Sequence, residues 1–439
     1  VRLVSTRNPQ HVATFTEALG RNLAPDGGLY TPEPVPRLAD VDGLLALPWL
    51  PRCVALLQAW LGDEIDGEVL AQVAHQAFDF AVPLVDVPSG SQQGLGGVHA
   101  LELFHGPTLA FKDFGARFLA GMLRWQRSQP GYAGGPRTIL TATSGDTGAA
   151  VAHAFWQVPG FAVVVLYPRG RVSPVQERQF ASLGDNVLAL AVDGSFDDCQ
   201  ALAKACFADA ELSAQLGLAS ANSIHVARLL AQALYTFEAV AQLRARGIDA
   251  PPVIAIPSGN FGNLCAGLLA QRMGLPVRAF VAATNANATV PEYLDTGVYR
   301  PRPSVQTLSN AMDVGAPSNW ERIRHLFAGD LQALRQNLRW GSLSDAETTE
   351  VVRQVHAGGM LLDPHAAVAY GVLRQQLRPG EVGVLLATAH PGKFADVLQP
   401  IVGPIALPPT LQAVAKRPLL AEVITNDFCT LRARLLRLT

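Results

Sequence analysis

The sequence predicts an α/β protein built on parallel sheets, with an N-terminal cap over residues 1–97 and a core of two α/β subdomains over residues 98–439. Three observations lead there. From Thr138 onward, apolar runs rich in β-branched residues alternate with helical stretches, the pattern of strands buried on both faces and joined by crossover helices. Two of those runs break into turns of small residues that lead directly into a helix. Finally, 49% of the 439 residues are hydrophobic and only 16% are charged, a globular composition on a chain too long for one ordinary core.

Taken in order, residues 1 to about 100 are Pro- and Gly-rich in patches, with helical pieces near Thr14–Gly20, Cys53–Leu61 and Glu68–Phe78. The polar, Gly-rich run from Ser89 to Gly97 bounds them. Strands are predicted at Thr138–Thr143, Phe161–Pro168, Asn186–Val192, Val253–Pro257, Val277–Thr284 and Val382–Thr388. Helices are predicted at Pro174–Leu183, Asp197–Ala208, Val226–Ala245 and Gly262–Met273, with right-handed crossovers. Residues 304–357 read as a more polar, helical insertion, and the tail beyond Pro408 as a surface return.

Composition narrows the partners. A net charge of −2 without a Lys/Arg run offers no field for nucleic acid. Five scattered cysteines without a CxxC fit reduced thiols rather than a disulfide framework or a zinc site, and no HExxH is present, so no metal is expected. No long apolar run and no basic-then-apolar leader appears. The expectation is a soluble cytoplasmic protein, a monomer or weak homo-oligomer, acting on a small molecule without nucleic acid or membrane.

The chemistry centres on HGPTLAFKDFG, His105 to Gly115, which sets Lys112 between apolar and small residues. A lysine in such surroundings is easily deprotonated, and a neutral amine attacks carbonyls. TATSGDTGAA (Thr141–Ala150) and IPSGNFGNLCAG (Ile256–Gly267) each present backbone N–H groups at a helix start, where an anion is favoured. Two anion cradles and one activated lysine suggest a phosphorylated aldehyde cofactor. Asp113 and His105 flank the lysine with weaker claims: a first-turn aspartate caps or complements the dipole, and His105 packs.

These segments, with SANSIHVARLLAQ (Ser220–Gln232), LSNAMDVGAPSNW (Leu308–Trp320), DPHAAVAYG (Asp363–Gly371), ATAHPGKF (Ala387–Phe394) and the opening VSTRN and APDGGLYTPE, resemble threonine synthases of the bacterial and fungal type along essentially the whole chain. The resemblance implies a pyridoxal-5'-phosphate enzyme of the tryptophan-synthase β-subunit fold group that converts O-phospho-L-homoserine and water to L-threonine and phosphate. It implies that Lys112 binds the cofactor aldehyde as a Schiff base and later serves as the Cα acid–base group. Ser258, Gly259, Asn260, Phe261, Gly262 and Asn263 would hold the cofactor phosphate, the glycines letting the backbone curl. Thr388 would meet the pyridine nitrogen.

Ser144, Gly145 and Thr147 would bind the substrate carboxylate, and Asn222, Ser223 and Arg228 its phosphate, with Arg169, Arg171 and Ser173 as lesser candidates. Asp146 stands where many relatives in the wider fold group carry asparagine near the cofactor's phenolic oxygen. A carboxylate there is repulsive unless one group is protonated or a cation intervenes. His390 and Lys393 are substrate or structural contacts, and Gly392 replaces the usual alanine. Two other readings remain: a related lyase that eliminates phosphate and stops at a keto acid, and a non-catalytic phosphoamino-acid binding protein.

Overall fold

A computed structural model describes residues 1–88, 97–132, 135 and 137–438. The run Ser89–Gly97 expected to bound the cap therefore lies outside the described residues, apart from Gly97. The strands are β1 (Leu3–Ser5), β2 (Val12–Ala13), β3 (Tyr30–Pro32), β4 (Leu84–Asp86), β5 (Val98–Glu102), β6 (Thr138–Ala142), β7 (Ala162–Pro168), β8 (Val187–Asp193), β9 (Leu218–Ala219), β10 (Val253–Pro257), β11 (Ala279–Thr284), β12 (Leu338–Ser342), β13 (Gly383–Ala387) and β14 (Glu422–Thr425). All six strands expected from the apolar runs form, to within two residues at each end.

Two sheets carry the site. One has the order β12-β11-β10-β13-β5-β4, parallel except for the β4 edge; the other has the order β14-β8-β7-β6-β9 and is parallel throughout. Their burial on both faces follows the two-residue period of a strand. In β10, Ile254 and Ile256 enter the central core, while Val253 and Ala255 enter a second core on the opposite face. In β7, Val163 and Val165 face the central core, while Val164 and Leu166 face a third. A small antiparallel sheet, β2-β1-β3, forms from the N-terminal residues.

Between the sheets runs the helix Val226–Ala245, which packs on the helices Lys112–Arg127 and Gly262–Met273. Its sequence is apolar around nearly the whole circumference because neighbours cover it on every side. The N-terminal residues pack closely onto this core. Leu3, Phe15 and Trp60 belong to the same apolar cluster as Phe114, Ile139 and Tyr235, and the Arg52 guanidinium pairs with Glu238 inside it.

Two expectations need correction. The stretch 304–357 is not wholly helical: β12 within it pairs with β11 and forms an edge of the six-stranded sheet. The tail beyond Pro408 does more than cross the surface, because β14 pairs in parallel with β8 from Glu422↔Leu190 to Thr425↔Asp193. Both strands are short and half-polar, so their periodicity is weak, and long-range pairing makes them strands. Among the described residues no helix is long and apolar enough to cross a membrane.

Candidate active site

The carboxyl ends of β6, β10 and β13 converge on one cavity, as expected of open parallel sheets. Its wall includes Lys112, Asp146, Thr147, Arg228, Asn263 and Thr388.

Lys112 is set by chain pairing rather than by its helix alone. Ala110 bridges Ala389, the Phe111 N–H donates to the Thr388 carbonyl at 2.8 Å, and the His390 N–H donates to the Leu109 carbonyl at 3.0 Å. The helix then begins at Lys112 itself. Asp113 holds the entry, accepting from the Thr108 N–H at 2.9 Å and hydroxyl at 2.7 Å. Gly106 permits that approach, since a Cβ there would lie 2.5 Å from the Asp113 Oδ2. Asp113 is therefore a clamp that burial pushes up to about 6, and His105, bonded to Glu102 at 2.7 Å, stands outside the cavity wall.

Burial lowers the pKa of Lys112, opposed by Asp146 and reinforced by Lys393 and Arg228. Its position in the first turn of a helix acts in the same direction, because the dipole disfavours a cation there. The nearest carboxylate oxygen, on Asp146, is 3.8 Å away. Asp146 is engaged elsewhere: its Oδ1 accepts from Lys393 Nζ at 2.7 Å and from Gln176 Nε2 at 2.8 Å. Burial would raise this carboxyl, but the two lysines hold it well below the usual range. Of the two ways the sequence left open to relieve this aspartate, a cation is the one present: Lys393, which pairs with Asp146 but does not itself line the cavity.

The turn after β10 departs from expectation in its backbone. Phe261, not a glycine, takes the left-handed conformation, with φ 60°, while Gly259 and Gly262 remain outside that region. Gly259 is required for close approach instead, because a Cβ would lie 2.8 Å from the Met312 Cα and 2.9 Å from the Ala311 carbonyl. The Asn260 side chain fixes the loop, donating to the Ser223 hydroxyl and accepting from the Ser318 N–H. Asn319 Nδ2 closes it from below, 3.0 Å from the Asn260 carbonyl. The Ser258 N–H is spent on the Ala283 carbonyl and its hydroxyl on the Ile256 carbonyl.

Of the expected substrate residues, Thr147, Ser223 and Arg228 line the cavity, whereas Ser144, Gly145 and Asn222 do not. The Gly145 N–H is taken by the Thr143 hydroxyl at 2.9 Å, and Asn222 Oδ1 accepts from the Ile224 N–H at 3.1 Å. Arg228 is 2% exposed, donates to the Ala221 carbonyl at 2.5 Å, and leaves its buried Nε without a partner. Burial pulls its pKa down to about 10, and no carboxylate among the described residues pairs with it. Arg169 instead pairs with Asp193 on the surface, Arg171 is exposed, and Ser173 caps the helix Pro174–Ala181.

Several wall residues escaped the sequence reading, His365, Gln232 and Met312 among them. His365 has Nδ1 2.7 Å from Asp363, while its Nε2 accepts from the Ala311 N–H, which makes Nδ1 the protonated nitrogen. Gln232 lies one turn beyond Arg228, and Met312 faces Gly259. The segments DPHAAVAYG and LSNAMDVGAPSNW were visible as family segments, but nothing in their spacing showed which side chain reached the cavity.

The donor set fits a phosphorylated pyridine aldehyde. The Asn263 amide nitrogen and oxygen are both buried without a partner at the cavity wall, the loop beside them approaches as only glycine backbone can, and the lysine amine leans toward neutrality. A buried lysine, a tight turn at a helix start and parallel sheets together fit a pyridoxal-phosphate-dependent enzyme, and a family model described as pyridoxal-phosphate dependent enzyme matches residues 78–388. Models for the threonine synthase N terminus and C-terminal region match residues 2–78 and 366–433. The chain is 47% identical to a threonine synthase of Haemophilus influenzae over 100% of both chains. Its fold is similar to the crystal structure of threonine synthase from Escherichia coli, with TM-score 0.90 and 44% identity over 100% of both chains. A pyridoxal-phosphate-bound threonine synthase from Brucella melitensis gives TM-score 0.91 and 35% identity over 99% of both. The chain belongs to the threonine synthase family.

Proposed function

We propose that this protein converts O-phospho-L-homoserine and water to L-threonine and inorganic phosphate by β,γ-replacement, as a cytoplasmic biosynthetic enzyme. The observation that carries the reading is one cavity with an amine-lowering environment at Lys112, an anion cradle on one side and an unpaired interior cation, Arg228, on another. Pyridoxal phosphate, when bound, supplies an aldehyde for amines and a ring that accepts electrons from the α-carbon.

The chain's residues divide the remaining work. The loop Ser258–Asn263 and the start of its helix would hold the cofactor phosphate, and the Thr388 hydroxyl would serve the ring nitrogen. Lys112, as a neutral amine, binds the aldehyde, takes the Cα proton and returns it at the end. Thr147, in the first turn of the helix Asp146–Phe155, holds the substrate carboxylate, supported by the orphan N–H groups of that turn. Arg228, Ser223 and Gln232 orient the substrate phosphate and compensate its charge as it leaves from Cγ.

The test is stoichiometric. Phosphate and threonine are measured from O-phosphohomoserine, with and without added pyridoxal phosphate, and the expected result is one threonine per phosphate. Release of phosphate with a keto acid in place of threonine would favour the eliminating lyase. Binding without any turnover would favour a phosphoamino-acid binding protein.

A further inference from the structure

The buried ion pair Lys393–Asp146 reaches the cavity wall through Asp146 alone and is left unused by the roles above. Lys393 is carried by the short 3-10 turn Pro391–Phe394 that follows β13, and Asp146 opens the helix after β6. The two side chains, 0% and 4% exposed, meet at 2.7 Å. Lys393 Nζ also donates to the Thr108 carbonyl at 2.6 Å, and Thr108 is the residue that Asp113 grips. Gln176 donates to the same Asp146 oxygen at 2.8 Å. The carboxylate's short contacts are thus supplied from two elements, and Lys112, at 3.8 Å from the other oxygen, is outside hydrogen-bonding range.

We propose that Lys393 is a positioning residue that occupies the Asp146 carboxylate and so leaves the Lys112 amine free to exist without its proton. The argument is one of charge counting in a medium that tolerates little unpaired charge. With Lys393 protonated and Asp146 ionised, the pair is neutral and Lys112 has no need to remain a cation. Without Lys393, Asp146 would face Lys112 as its sole cation at short range, and an ammonium paired with a buried carboxylate is not a nucleophile. The other charged groups that face Lys112 are Arg228, from the helix Val226–Ala245, and Asp363, which caps the helix Pro364–Gln376; the wall also presents His365. Arg228 opposes protonation of Lys112 and Asp363 favours it, but the partners of the Asp146 Oδ1 are Lys393 and Gln176, so neither replaces the function of Lys393. The neighbouring Asp113, His153 and His390 each feel Lys393 as well, which makes it the common cation of this region.

The proposal rests on the reading of Lys112 as the reactive amine, and its test is separable from that reading. Full-length protein stripped of cofactor is labelled with trace acetic anhydride across a pH series, and the extent of Lys112 acetylation is read by peptide mass spectrometry. The expected midpoint in the unaltered protein lies below that of ordinary lysines. Lys393→Met should raise it by about one pH unit or more. Asp146→Asn should not raise it, and Asp146→Asn combined with Lys393→Met, which removes both charges, should return it to near the unaltered value. Circular dichroism at each pH confirms folding. A merely structural pair would move midpoints with stability, not with the sign of the charge removed. An unchanged or lower midpoint in Lys393→Met overturns the proposal. If that variant does not fold, a raised midpoint in the double variant or in Asp146→Asn overturns it equally, and the expected values there sustain it. Borohydride trapping of the cofactor on Lys112 in the unaltered protein tests the functional reading by itself.

Discussion

A lysine becomes a reagent only when its surroundings disfavour its ammonium form, and here burial, the helix start and two nearby cations combine to do so. Lys112→Ala should fold, because the amine makes no hydrogen bond that holds the chain, and the cradle remains for non-covalent cofactor binding. Turnover should fall by about four orders of magnitude or more, from losing both covalent attachment and the proton-transferring group. The checks are steady-state rates and borohydride trapping with peptide mapping; an adduct on another lysine would sink the assignment. Arg228 illustrates the opposite bias, an interior cation kept without a carboxylate. Arg228→Met should leave the melting temperature of the ligand-free protein unchanged or raised, since a desolvated charge disappears. It should weaken phosphohomoserine binding by about ten- to a hundredfold, the equivalent of about 1.5–3 kcal/mol. An uncharged amino-acid analogue should be affected far less, and equal losses would assign Arg228 to the fold.

At the scale of elements, the turn after β10 works because three segments meet there: Gly259 against Met312, Asn260 against Ser223, and Asn319 beneath. Gly259→Ala puts a Cβ against backbone atoms that cannot rotate away, so segment 311–312 must shift. The expected result is loss of bound pyridoxal phosphate on dialysis, measured against the unaltered protein; full retention would show that the cradle tolerates the shift. The central helix carries a separate pH signature. His225 caps it, accepting from the Ala227 N–H at 3.2 Å and contacting the Leu19 carbonyl at 3.2 Å, and burial draws its pKa down to about 4. With the folded value below the unfolded one near 6.5, its contribution is present above pH 6.5 and is lost as pH falls toward 4. His225→Asn keeps a capping side chain without that titration. From pH 7.5 to pH 5 the stability advantage of the unaltered protein over this variant should shrink by about 2 kcal/mol. Denaturant titration at the two pH values measures it, and a difference independent of pH would exclude a neutral buried His225.

At the scale of the molecule, the ends of the chain complete the structure they appear to flank. Truncation after Pro408 removes β14 from the edge of β8, and takes Ile424, Leu431 and Leu435 from a core shared with Leu190 and Cys199. An unpaired edge over uncovered apolar residues should drive association. Light scattering should show aggregates for the truncated chain, whereas a monodisperse, active product would make the tail dispensable.

Much of this was legible in the residues themselves. Short, β-branched apolar runs such as VIAIP and VVVL, bounded by turn residues and alternating with helical stretches, point to strands buried on both faces, and Lys112 and the turn after β10 announce themselves through local chemistry. The strands β12 and β14 could not be seen, since LRWGS and EVIT become strands only when β11 and β8 supply their partners. Nor could the sequence say that Asp146 belongs to Lys393, which is 247 residues away along the chain, or that His365 rather than His105 reaches the cavity. The sequence by itself determined the class of sheet and the family, and singled out Lys112 as the candidate amine. Tertiary structure alone decided which charges neutralise one another, because pairing in a dry interior depends on distances of a few ångströms that no local pattern encodes.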